Sequence, residues 1–99
     1  MTITTKRDGS HVTLAIEGRV DTNTSAQLQG EILRTFQSAK LLTLDFAQVS
    51  YISSAGLRAL LIGQKTALTK GATMELLHIQ PTVLTVLELS GFDSILNIK

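Results

Sequence analysis

The stretch Leu44-Asp45-Phe46-Ala47-Gln48-Val49-Ser50-Tyr51-Ile52-Ser53-Ser54-Ala55-Gly56-Leu57 decides how this chain folds. Ahead of it and into its first residues, Leu42, Leu44 and Phe46 alternate with Thr43 and Asp45, the period of two of a strand with one covered face. Beyond the serines the period lengthens. Leu57, Leu60, Leu61 and Leu68 mark the inner side of a helix running to about Thr69, and Lys70-Gly71 closes it as a cation followed by glycine commonly does. A strand over Leu41 to Phe46 therefore feeds, through a short loop, a helix that opens at about residue 55, with two hydroxyls where it begins.

The same alternation of periods extends in both directions. Upstream, Asp8-Gly9 separates a polar run, Thr2 to Arg7, from His11 to Gly18, where Val12, Leu14 and Ile16 alternate with Thr13, Ala15 and Glu17. Asp-Gly favours the positive φ of a tight hairpin turn, so the chain opens as an antiparallel hairpin whose polar first strand is an edge. Thr24 and Gln27 then stand in the capping-box relation, and Leu28, Ile32 and Phe36 give the stripe of a helix over Ser25 to Ser38, weakened at Gly30. Downstream, a strand over Thr73 to Ile79 precedes a helix that starts at Pro81, carries Val83, Leu84 and Leu87, and stops at Gly91. Ile95 to Ile98 reads as a last strand.

The order β-β-α-β-α-β-α-β defines the α/β class. Strands joined through helices run parallel with right-handed crossovers, so the sheet is mixed and mostly parallel, with the opening hairpin antiparallel. Strands buried on both faces would be continuously apolar. These alternate, which places the helices chiefly on one face. Ninety-nine residues suffice for one domain, 1–99, with a radius of gyration of about 13 Å.

Composition excludes several kinds of chemistry. The chain has no cysteine, hence no disulfide framework, thiolate nucleophile or cysteine-rich zinc site. Nine basic against eight acidic residues leave a formal charge of +1, which gives little grip on nucleic acid or an anionic membrane. Met1 to Ser10 is too polar for a secretory signal, and no run reaches the roughly 18 apolar residues of a membrane span. We therefore expect a cytoplasmic protein without membrane insertion, and a monomer when free.

No catalytic constellation stands out. Neither serine has the G-x-S-x-G context of a nucleophile elbow, and Gly56 and Gly63 do not make a phosphate-binding loop. His11 and His78 read as rim residues at strand ends, with no second ligand at metal spacing, so neither a metal nor a cofactor is expected. The eight carboxylates form no pair beside a base. A non-enzymatic role follows.

What remains is the serine pair at the helix start. Two readings hold there. One serine simply caps the helix, contributing about 1 kcal/mol. Alternatively, because free N–H groups and a partial positive charge stabilise an anion at a helix start, one of them holds a phosphate without unfolding the helix. A phosphoserine adds a charge of about −1.5 to −2, enough to reverse an interface on a nearly neutral surface.

At these residues the chain resembles the STAS-domain anti-sigma factor antagonists. The family's strand end, loop and helix start correspond to Leu44-Asp45-Phe46, Tyr51-Ile52 and Ser53-Ser54-Ala55-Gly56-Leu57, and its G-x-[LIV]-D segment to Gly18-Arg19-Val20-Asp21. The resemblance spans the whole chain. It implies a protein that binds a serine-kinase anti-sigma factor, is phosphorylated by it, and is restored by a PP2C-type phosphatase. It places Asp21 at the acidic position near the phosphorylation site and Gly56 and Leu57 at the helix start. The family's usual acceptor precedes the glycine, where this chain has Ala55, and its aspartate before the serines is replaced by Ser53. Either the acceptor has moved, with Ser54 first choice as the exposed cap and Ser53 second, or the protein binds its partner constitutively, as a STAS subunit of a lipid-transport or sensory complex would.

At 3.6 residues per turn, Arg58, Ile62, Lys65 and Thr69 share the side of the helix opposite the leucines. Ile62 is then either a lone surface isoleucine or, with Arg58 and Lys65, part of a partner-binding face next to the serines.

Overall fold

A computed structural model describes all 99 residues. The elements are β1 (Thr2–Asp8), β2 (His11–Val20), α1 (Ser25–Thr35), β3 (Leu41–Ile52), α2 (Ser54–Lys70), β4 (Thr73–Leu77), α3 (Pro81–Leu89), a 3-10 turn over Phe92–Ser94, and β5 (Asn97–Ile98). β1 pairs antiparallel with β2, and every later pairing is parallel. Strand order in the sheet equals chain order. Each right-handed crossover thus steps the same way across the sheet, and that puts all three helices on the same face. The mixed sheet with helices on one face is the architecture expected from the alternation.

The covered face holds the core. Val12, Leu14 and Ile16 of β2, Leu42, Leu44 and Phe46 of β3, and Met74 and Leu76 of β4 are buried in one cluster with Leu28 and Ile32 of α1, Leu57 and Leu60 of α2, and Val83 and Leu87 of α3. On the other face Thr4, Thr13, Ala15 and Asp45 line an open trough. The radius of gyration, 12.1 Å, matches the single-core expectation.

The largest departure from the expected elements is β3. It does not give way to a loop after Phe46 but continues to Ile52. Its partner register shows why the period was lost: Ala15 faces Asp45, yet Glu17 faces Gln48 and Arg19 faces Tyr51, so β3 carries two extra residues in bulges. Inward positions therefore widen from Leu42, Leu44 and Phe46 to Val49 and Ile52, all buried. The first bulge is tied down at both polar groups of Ala47: Asp45 Oδ1 accepts its N–H at 3.0 Å and Gln80 Nε2 donates to its carbonyl at 2.8 Å.

Other boundaries shift for local reasons. α1 ends at Thr35 rather than Ser38. Thr24 does not cap it: with helical backbone angles (φ −109°, ψ −14°), its hydroxyl accepts the N–H of Asp21 at 2.9 Å and donates to the carbonyl of Arg19 at 2.7 Å. In the hairpin Asp8 is the last strand residue and Gly9, at φ +62°, supplies the turn. β4 stops at Leu77 because His78 takes φ +58°. Leu68 is not on the inner side of α2 but 70% exposed, and Leu61 is only half-buried; both lie on the flank of the helix. The buried stripe runs instead through Leu57, Leu60, Gly63, Gln64 and Ala67. No helix is long and apolar enough to cross a membrane.

Candidate functional site

The site is assembled where β2 and β3 end side by side. Val20 pairs with Ile52, and the Val20 carbonyl accepts the N–H of Ser53 at 2.9 Å. Ser53, with extended backbone (φ −96°, ψ 175°), is the residue that caps α2: its Oγ accepts the N–H of Gly56 at 3.2 Å and its carbonyl accepts that of Leu57 at 2.9 Å. This corrects the placement of Ser54 as the cap. Ser54 is the first helical residue, one position inside, because the bulged strand continues to Ile52 and leaves only Ser53 to turn the chain.

Gly56 is required by contact. A Cβ there would lie 2.7 Å from Ile52 Cγ1, 2.8 Å from Val20 Cγ1 and 3.0 Å from the Val20 carbonyl oxygen. The start of α2 is thus pressed onto the ends of both strands, and Ser54 is carried outward. It is exposed, while Ser53 and Ala55 are half-buried. Ser54 and Ala55 line a shallow groove with Thr22, Ser25 and Gln29 from the β2–α1 turn and α1, and with Arg58 one turn further along α2. No carboxylate lines it.

Asp21 shapes the turn beside this groove. Its Oδ1 accepts the N–H of Asn23 at 2.9 Å and of Thr24 at 3.1 Å, and the Thr24 hydroxyl lies 3.1 Å away. Partial burial pushes its carboxyl up, but these hydrogen bonds, aided by Arg19, outweigh that and hold it below the usual carboxylate range. Arg19 Nε stands 3.9 Å from Asp21 Oδ2, and the Arg19 guanidinium lies 4.1 Å from the ring centroid of Tyr51, its partner across the strands. The cation–π contact fixes an aromatic ring that is 40% exposed. The sequence reading missed the Arg19–Tyr51 stack, because only the shifted register sets the two opposite each other.

Of the expected partner-binding residues, Arg58 joins Ser54 in the groove. Ile62 and Lys65 line a second, separate groove along the outer side of α2, with Thr66, Thr69 and Lys70. The histidines end in different surroundings. His11 Nε2 is 2.8 Å from the Thr43 hydroxyl, and His78 Nδ1 is 3.1 Å from Asp45 Oδ1. The N–H of Ala47 holds the Asp45 carboxyl below its ordinary range against the opposing effect of burial, with His78 helping.

The comparisons with known proteins agree with this geometry. A family model described as MlaB, STAS domain, matches residues 3–97. A Bordetella bronchiseptica protein named "Putative anti-sigma factor antagonist BtrV" is 33% identical over 81 residues, covering 81% of this chain and 70% of that protein. An anti-sigma factor antagonist from Mycobacterium paratuberculosis superposes with a TM-score of 0.86 at 18% identity, over 98% of this chain and 83% of the other. The Bacillus cell fate determinant SpoIIAA in its phosphorylated form gives 0.76 at 19% identity, over 99% and 91%. The chain belongs to the STAS-domain family, and its relatives there include proteins named as anti-sigma factor antagonists.

Proposed function

We propose that this chain, as one domain over residues 1–99, is a cytoplasmic anti-sigma factor antagonist. It binds a serine-kinase anti-sigma factor through the start and outer side of α2, so that the sigma factor is released. Phosphorylation of Ser54 ends the interaction, and a PP2C-type phosphatase restores it.

The division of labour between the two serines carries the assignment. Ser53 is occupied, its oxygen held by the Gly56 N–H, while Ser54 stands exposed on the first turn in a groove lined by hydroxyls, an amide and Arg58. A phosphate on Ser54 would meet the free amides and positive end of the helix, so modification is compatible with the fold. Its charge of about −2 would nevertheless reverse the sign of a surface whose charged neighbour is Arg58. The phosphorylated form of SpoIIAA, which shares this fold, supports phosphate as the switch. Ala55 lacks a hydroxyl, so Ser54 is the nearest exposed acceptor.

Intact-mass measurement after incubation with the cognate kinase and ATP tests this. Wild type gains one phosphate, Ser53→Ala still does, and Ser54→Ala does not. Equal uptake by Ser54→Ala overturns the site. No uptake by any of the three, with binding preserved, establishes constitutive binding instead.

A further inference from the structure

Charge is nearly balanced over the whole chain but not within it. α2 carries Arg58, Lys65 and Lys70 and no carboxylate. From residue 79 to residue 98 there is no cation, only Glu88 and Asp93. The three ion pairs of the structure, Arg19–Asp21, Glu31–Arg34 and Asp45–His78, use none of these five residues.

Each of the two regions also has unpartnered apolar surface. Along α2, Ile62 floors the groove whose walls are Lys65, Thr66, Thr69 and Lys70. At the other, α3 is apolar along most of its length, yet only Val83 and Leu87 are buried. Leu89 is 85% exposed, the most exposed of the large hydrophobic residues, and Ile95 after the 3-10 turn is 45% exposed. Leu84 and Val86 are half-buried, Val86 against the core, so the open apolar surface at this end is Leu89 with Ile95. Within one chain the two surfaces serve different neighbours: α3 packs on β3 and the 3-10 turn, while the α2 groove opens outward.

We propose that the occupant of the α2 groove is the α3 end of a second copy of this chain. Leu89 seats against Ile62 between Lys65 and Lys70, and Glu88 and Asp93 face those lysines. The occupant is identified by complementarity of both kinds, an acidic apolar knob and a basic groove with an apolar floor. Two different patches meet, so the contact is heterologous: it does not close by two-fold symmetry and grows with concentration. A single leucine anchor with rim charges makes it a weak, reversible association. The contact uses the outer side of α2 that the anti-sigma factor reading also assigns to its partner, so a copy seated there and that partner exclude one another, and the sedimentation test needs no anti-sigma factor.

Sedimentation velocity in low-salt buffer, from about 10 μM to about 1 mM protein, tests it. The weight-average sedimentation coefficient of wild type rises with concentration. Leu89→Gln removes the knob and Lys65→Glu disables the groove; both residues are exposed, so both variants fold, and each alone stays monomeric. Mixed in equal amounts they form a dimer-sized species and nothing larger, because the knob of one fits the groove of the other and the chain stops there. A flat wild-type profile, association of either variant like wild type, or a mixture that stays monomeric overturns the proposal.

Discussion

Helices α2 and α3 both begin at the carboxyl ends of parallel strands, yet they are fixed in opposite ways. α2 is set by crowding: Gly56 has no room for a methyl group, Ser53 is bonded through N–H, Oγ and carbonyl, and Val20 and Ile52 close the space beneath. α3 is held on the sheet by Val83 and Leu87, but its start is set by one long side chain. Gln80 precedes Pro81 without capping the helix, and its amide reaches back to the carbonyl of Ala47 in the β3 bulge. The first arrangement leaves no room for a side chain at Gly56 and lifts Ser54 into solvent. The second only tethers. The helix start that needs a defined surface is the one built by close backbone packing, which flexible side chains cannot replace.

Substitutions can break this contrast in order of size. Gly56→Ala has the largest effect: alanine normally gains about 1 kcal/mol in a helix, but the contacts with Val20 O and the two branched side chains outweigh it, for a net loss of about 1–3 kcal/mol in urea unfolding. A neutral or stabilising outcome would show that the start of α2 can move. Ser53→Ala lowers stability by about 1 kcal/mol in the same assay, whereas Ser54→Ala stays within about 0.5 kcal/mol. Equal losses would erase the distinction between cap and acceptor. Gln80→Ala, which leaves the Ala47 carbonyl without its partner, costs about 0.5–1.5 kcal/mol and leaves phosphate uptake at Ser54 unchanged.

Acid gives the smallest and most gradual effect. Asp21 and Asp45 both have carboxyls held below their ordinary range in the folded chain, so their contribution is complete above the unfolded value near pH 4 and is lost as pH falls through the folded values. Stability measured by urea unfolding therefore declines below about pH 4. Asp45→Asn makes that decline shallower, and an unchanged slope would remove the bulge carboxylate from the acid response.

How far the sequence could be read depended on whether each signal was periodic. The three crossovers and the buried Leu28, Ile32, Leu57, Leu60, Val83 and Leu87 follow from repeats of two and of about 3.6 residues, which the order of residues displays, and the hairpin from Asp8-Gly9. The junction was legible from its residue types as a pair of serines at a helix start, and by its resemblance to the STAS-domain antagonists, but not in its geometry. Phe46 is the last residue in phase; Val49 and Ile52 point inward only because two bulged residues intervene, and nothing local distinguishes a bulged strand from a loop. The cap moved from Ser54 to Ser53 for that reason, and Leu68 misled because it lies with Leu61 on the flank of the buried stripe that runs through Leu60, Gly63, Gln64 and Ala67.

Local chemistry along the chain settled the class of fold, the helix that starts at the two serines and the absence of a thiol, since each depends on residue type and spacing. Only the folded molecule decided which serine is spent on the cap, that Arg19 stacks on Tyr51, that Asp21 is taken up by its own turn, and that the basic side of α2 and the acidic end of α3 face outward in separate places. The Arg19–Tyr51 stack and the place of the cap depend on the register between β2 and β3, about 30 residues apart in sequence, and the residues that set that register carry little local record of it.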